Sequence, residues 1–250
     1  MPPNSPVVAG STPLRIGFVV LTIALYLLFV AAVYVSARRS GVEPKRAERQ
    51  TLIAAALAGL WIAATGIAAA RGVLHMWGPP TMGPVLIGML VIAIGVALSP
   101  LGGRIVAQIG IAALVGYQAF RIFVELLLHR AYVGGLMPVQ MSYAGRNFDI
   151  ASGVTALALG AWLATGRRSR VLVLLWNVLG VLLLANIVGV ALLSAPTPFR
   201  VFMNEPANTF ITRVPFVWLP AVMVCAAVMG HALVFRWLFR PTQPVVGSPG

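Results

Sequence analysis

The sequence predicts an all-α fold, a polytopic transmembrane bundle of seven helices with the N-terminus out and the C-terminus in. Three observations carry that expectation. Hydrophobic residues make up 60% of the 250-residue chain, charged residues only 9%, and the mean hydropathy is +0.94; an average soluble domain carries roughly 25% charged residues. Apolar runs recur at the length a bilayer demands, roughly 20 residues for a hydrocarbon core about 30 Å thick. Nearly all the basic residues lie between those runs rather than inside them.

Taken in order, residues 1–14 are rich in Pro, Ser and small side chains and read as a disordered tail, as do 241–250. The membrane domain is 15–240. No charged segment precedes the first apolar run and no small-residue cleavage site follows it before Arg38, so 16–37 reads as a retained helix, not a cleaved signal peptide. The remaining crossings are 51–71, 84–99, 105–129, 150–166, 171–194 and 214–235. Two of these, 84–99 and 150–166, are short, so their ends must approach the interface or be covered by neighbours. Gly59/Gly66, Gly88/Gly95 and Gly153/Gly160 each place two glycines on one helix face, where backbones can approach closely. The second, third and fifth crossings are therefore expected to form the tightly packed inner set.

The net charge of +13 suggests nucleic acid in a soluble protein. Here the cations flank apolar spans, where they orient the chain and meet anionic head groups of the lipid bilayer; no nucleic-acid partner is expected. In a seven-span arrangement Arg38, Arg39, Lys45, Arg46, Arg49, Arg104, Arg167, Arg168, Arg170, Arg236 and Arg240 share one side, against six arginines on the other. The richer side is read as cytoplasmic. The bias of arginine over lysine, with Ala, Val, Gly and Leu dominant, suggests a GC-rich bacterial genome, and the apolar spans are then expected in a bacterial inner membrane. Cys225 is alone, which rules out an internal disulfide and a dithiol redox motif.

Five residues are acidic, and one of them, Glu125, lies inside an apolar run. Helical periodicity sets Gln118, Arg121, Glu125, His129 and Tyr132 on one stripe. Ionisable side chains within a membrane helix are costly and mark a functional site by default. Arg121 with Glu125 has the spacing of an ion pair, and Glu125 with His129 that of a charge-assisted hydrogen bond. Counted along one straight helix from Arg104, Glu125 lies roughly 31 Å further, near the outer interface. The structural alternative is a latch that fixes the packing of this crossing.

Asp149 opens the fifth crossing and is placed to cap its backbone N–H groups. If it meets the stripe, Glu125, His129 and Asp149 form a carboxylate–histidine–carboxylate group suited to proton exchange or cation binding, with Arg146 and Asn147 at its rim. Asn186 and Asn177 are nine residues apart and face opposite ways, so they serve different partners; interhelical hydrogen bonds are the default for both. His231 is read as near the cytoplasmic end of the last crossing, far in depth from His129. Candidate metal ligands are Glu125, His129, Asp149 and His75, with Cu(I) weighed because Met76, Met82, Met137, Met141 and Met203 lie toward the outer side. The apolar connection 130–149, with Tyr132, Leu136, Met137, Val139, Met141 and Tyr143, is expected to fold back over the site as a lid.

Several seven-span chemistries are disfavoured. The only lysine is Lys45, so the last crossing has none to bind retinal; His231 lacks the second histidine of a membrane zinc hydrolase; and Ser152 sits in Ile150-Ala-Ser152-Gly153, which lacks the earlier glycine of a rhomboid-type nucleophile turn.

The segment Gln118-Ala-Phe-Arg-Ile-Phe-Val-Glu-Leu-Leu-Leu-His129, followed by Pro138-Val-Gln-Met141 and Gly145-Arg-Asn-Phe-Asp149, resembles a group of uncharacterised bacterial multi-pass, seven-span integral membrane proteins. Ala195-Pro-Thr-Pro and Phe216-Val-Trp-Leu-Pro220 are weaker companions. The resemblance implies that stripe and turn belong together, and it brings no activity and no cofactor. Three functions remain open: binding of a small molecule or ion in a transporter-like or sensory protein, with Arg121 holding an anionic group while Glu125 and His129 exchange a proton; an outer-leaflet enzyme using Glu125, His129 and Asp149; and an assembly subunit of a membrane complex.

Overall fold

Three helices begin where the sequence supplies a residue that needs no backbone N–H. The computed structural model describes residues 10–74 and 82–240. Proline occupies the first turn of α1 (Thr12–Arg39), α2 (Pro44–Ala70) and α4 (Pro100–Gln108), where its fixed φ suits the helix and its missing N–H costs nothing. Then follow α3 (Met82–Leu98), α5 (Ile111–Gly116), α6 (Phe120–Val133), α7 (Ile150–Ala164), α8 (Arg170–Leu193) and α9 (Cys225–Leu238). A 3₁₀ turn at Tyr117–Ala119 joins α5 to α6, and a π-helical segment, Leu219–Val224, leads into α9. The described residues are all-α, without strands.

Five helical stretches are long and apolar enough to cross a membrane: Thr12–Arg39, Pro44–Ala70, Ile111–Val133, Arg170–Leu193 and Leu219–Leu238. The pair α3 and α4 qualifies jointly as a sixth but is bent by 58°. At the bend Ser99 Oγ accepts from Gly102 N, Pro100 starts a new helix, and a Cβ at Gly102 would run into the Ala97 carbonyl. α7 is a shorter apolar helix. The expected single crossing 105–129 is divided, because Ile109 and Gly110 adopt extended backbone between α4 and α5. Depth therefore does not accumulate along one helix from Arg104 to Glu125. α1 begins at Thr12, inside the expected tail; the expected tails at 1–9 and 241–250, together with His75 and Met76, lie outside the described residues.

Two apolar cores stack along the bundle. One gathers Phe18, Phe120, Val124, Leu128, Met137, Met141, Phe210, Phe216 and Met223. The other gathers Ile105, Leu114, Val115, Ala156, Leu163, Val173, Trp176 and Leu233. On α8 and α9 the buried Asn177 and His231 lie between these two sets, and Arg121 of α6 and Ser152 of α7 meet them at that level. At the second core's end the basic residues converge: Arg39 donates to Gln108 O, Arg236 to Ala97 O and Ser99 O, Arg240 to Gly103 O, and Arg170 to Arg240 O. We call this the basic end; the long connections 134–149 and 194–218 form the opposite, loop end.

The expected inner set is corrected. α7 is central: a Cβ on Gly160 would stand 2.7 Å from Gly116 Cα, and one on Gly153 would stand 2.9 Å from Ile122 N. α2 is peripheral, with only Ala47, Thr65, Gly66 and Ala69 buried, and Gly88 and Gly95 of α3 face open space. The glycine spacing identified a smooth helix face in each case but not whether a neighbour lies against it.

Candidate functional site

The stripe turns inward. Gln118, Arg121 and Glu125 are buried, the last two at 1% exposure. A buried guanidinium offers five N–H donors and no acceptor, and each donor of Arg121 finds an acceptor. Nε donates to Asp149 Oδ2 at 2.7 Å, and Nη2 to Asp149 Oδ1 and, at 3.5 Å, to Gly180 O. Nη1 serves Ser152 Oγ at 2.8 Å and His231 Nε2 at 2.8 Å. Since Arg121 only donates, His231 Nε2 must accept, which puts the ring proton on Nδ1. Nδ1–H then donates to Asn177 Oδ1 at 2.8 Å, and Asn177 Nδ2 returns a bond to His231 O at 3.2 Å. A Cβ at Gly180 would meet the His231 ring, so this glycine admits the imidazole. One arginine thus ties together α6, α7, α8 and α9.

Glu125 takes no part in that ion pair, contrary to its helical spacing from Arg121. Its Oε2 accepts from Asn147 Nδ2 at 2.6 Å; the other Nδ2 hydrogen goes to Met141 O at 3.1 Å, and Asn147 Oδ1 accepts from Asp149 N at 3.1 Å. Oε1 makes no hydrogen bond among the described residues. His129 does not reach Glu125: it stacks on Tyr143 with centroids 4.3 Å apart, and its Nδ1 has no partner among the described residues. The expected carboxylate–histidine–carboxylate group is therefore absent as a unit. Asp149 stands at the start of α7 yet caps no N–H there, because its carboxylate turns to Arg121. Arg146 leans over the Phe202 ring at 5.2 Å, and exposed Asn186 donates to Arg146 O at 2.8 Å. Gln118 Nε2 donates to Ala227 O at 3.0 Å, beside Tyr117, whose hydroxyl donates to Ala226 O.

A cavity of about 390 Å³ opens beside the stripe, within the range of small-molecule pockets, roughly 300–1,000 Å³. Glu125, Arg121 and Asp149 line it at one side; Phe120, Leu128, Met141, Leu184 and Met223 supply apolar wall. Asn208 lines it too: its Nδ2 donates to Ala191 O at 2.9 Å, while Oδ1 is buried without a partner among the described residues. Every nitrogen of Arg121 is engaged, so the lining offers no free cation, while Glu125 Oε1 and Asn208 Oδ1 are acceptors without a partner among the described residues. The connection 130–149 folds inward, with Leu136, Met137, Gln140, Met141 and Ser142 buried and Gln140 Nε2 donating to Ser194 Oγ at 3.0 Å; Met141 and Asp149 are its residues on the cavity wall.

Sequence reasoning missed three members of the network: His231, Asn177 and Ser152. The available signal was polarity inside an apolar helix, which applied to His231 as much as to Arg121. It was lost because depth was measured from His129, two turns beyond the arginine that His231 actually meets. Among the described residues no three His, Cys, Asp or Glu side chains group as a metal site; of the four candidate ligands, Glu125, His129 and Asp149 do not converge and His75 lies outside.

Residues 80–239 match the family described as Domain of unknown function (DUF8737), a span that contains the whole polar layer and every residue lining the cavity, but neither α1 nor α2. No curated protein and no solved structure matches the chain.

Proposed function

The chain belongs to that family of unknown function, and we propose from its site that it is a membrane protein that binds a small, mostly apolar molecule or an ion in the cavity at Glu125, in a transporter-like or sensory role. One observation carries this reading: a cavity with apolar walls reaches a carboxylate that has an oxygen unengaged, while the neighbouring arginine is fully committed to the scaffold. Such a site selects a ligand with a hydrogen-bond donor, an ammonium or a hydroxyl, on an apolar body; with Arg121 engaged, an anion meets the Glu125 carboxylate and no free cation. We propose further that the chain crosses a bacterial inner membrane seven times, with the bent α3–α4 pair as the third crossing and α7 as the fifth, the basic end cytoplasmic and the N-terminus outside.

The test is thermal stability of the purified protein with octylamine, octanol and octanoate. A ligand at 100 times its dissociation constant stabilises by about 2.7 kcal/mol. The amine, and more weakly the alcohol, are expected to raise Tm, and octanoate to leave it unchanged. Glu125→Gln should weaken the amine effect about tenfold in concentration, and Leu184→Trp, which fills the cavity, should remove it. Equal shifts in wild type and both folded variants would defeat the proposal.

A further inference from the structure

A second, larger space lies on the far side of the bundle and owes nothing to the polar layer. α2 is pinned at two levels. Toward the loop end Trp61 Nε1 donates to Ala221 O at 2.9 Å and Trp218 Nε1 to Ile62 O at 3.1 Å. Toward the basic end Arg104 Nη1 donates to Gln50 Oε1 at 2.7 Å. Between these ties α2 touches α1, where Tyr26 Oη donates to Ala55 O at 3.3 Å, but no residue from Thr51 to Leu60 is buried and a gap opens beside them. The gap is a slot of about 690 Å³ walled by apolar side chains of α1, α2, α3, α4 and α9, among them Leu25, Leu57, Ala58, Ile105 and Met229.

Arg39 lines the slot at its basic end. Its Nη1 donates to Gln108 O at 3.0 Å. Arg104 is on the same face of α4 as Gln108, and its Nε is buried without a partner among the described residues. The ion pairs among the described residues are Arg121–Asp149 and Arg200–Glu205; neither Arg39 nor Arg104 has a carboxylate. From Gln50 to Trp61 the helix rises about 16 Å, close to the half-thickness of a hydrocarbon core about 30 Å deep. The slot is thus as long as one leaflet, apolar along its length and cationic at one end only.

We propose that this slot holds an anionic diacyl phospholipid. Its acyl chains lie between α2 and the α1–α4–α9 wall and end near Trp61, and its phosphate meets Arg39. Charge selects the head group: Arg39, a cation without a protein counter-ion among the described residues, favours a lipid with net negative charge over a zwitterionic one. Length selects the leaflet on the basic side. The occupied slot completes the packing that α2 lacks in its middle.

The experiment is lipid analysis of the full chain purified in neutral detergent from a membrane containing both anionic and zwitterionic phospholipids, by phosphorus assay and lipid mass spectrometry. About one anionic phospholipid per chain is expected after extensive washing. Ala58→Trp, which fills the slot, should lose it, with Ala54→Phe as the alternative if that variant does not fold. Arg39→Gln should retain lipid with the anionic preference reduced at least about fivefold. Retention of no phospholipid by the wild type, equal retention by the folded slot-filled variant, or retention without head-group preference each overturns the proposal. The octylamine response at Glu125 should be the same in all these variants, so the two sites are tested apart.

Discussion

Arg121 shows how a membrane bundle accommodates a charge that lipid would reject. The guanidinium is neutralised by one carboxylate, and its remaining donors go to a hydroxyl, an imidazole and a carbonyl. Breaking a buried pair by removing one partner costs about 3–5 kcal/mol, while exchanging both partners for apolar groups can be nearly neutral. Asp149→Asn should therefore destabilise strongly, because the arginine keeps its charge and loses its counter-ion. The paired change Arg121→Met with Asp149→Leu should cost less than either single change. Unfolding by SDS titration measures both, and single-mutant effects that simply add in the double would refute the account. Arg121 and Glu125 were legible in the sequence because a charge in an apolar run needs a reason, and Asp149 because it opens the fifth crossing. Their pairing was not: spacing on one helix favoured Glu125 for Arg121, whereas the actual partner arrives from the connection to α7, where Asn147 both occupies Glu125 and positions the Asp149 backbone.

At the scale of elements, apolar length identified the crossings, and breaks in them were harder to see. Residues 105–129 read as one helix because Ile109 is apolar and Gly110 is a single glycine, yet there the backbone is extended. The same uncertainty attaches to glycine faces. A Cβ on Gly160 would meet three backbone atoms of the α5 turn, Gly116 Cα and N and Ala112 O at 3.2 Å, and backbone cannot swing aside as a side-chain tip does. Overpacking of this kind costs about 1–3 kcal/mol. Gly160→Ala should lower stability by that amount and loosen the α5–α7 crossing. Gly88→Ala, which meets nothing within 4 Å, should be neutral or slightly stabilising, since alanine is the better helix former by about 1 kcal/mol. The comparison is read in parallel SDS unfolding curves; equal losses at the two positions would mean that close approach is not what fixes this crossing.

Across the whole molecule, stability is unevenly spread. α6 to α9 are joined by the polar layer and flanked by both apolar cores, whereas α2 is attached through a few residues at each end, the Tyr26–Ala55 hydrogen bond between them and, on our proposal, a lipid. Regions with few buried contacts open at lower free energy than the global transition. The tie at the loop end is a reciprocal pair, each indole donating to a carbonyl of the other segment, with Ala221 inside the π-helical Leu219–Val224. A neutral hydrogen bond contributes about 0.5–1.5 kcal/mol, so losing both amounts to about 1–3 kcal/mol of α2 docking. Trp61→Phe with Trp218→Phe should therefore raise hydrogen–deuterium exchange in 51–60 by about five- to a hundredfold, at RT ln 10 of about 1.4 kcal/mol per decade. Exchange in 173–184 and 225–234 should stay as in the wild type, because those residues belong to the family-matched bundle that holds the cavity. If exchange rose equally in α2, α8 and α9, the molecule would be one cooperative unit, and the division into a ligand-binding bundle and a lipid-supported outer helix would fail.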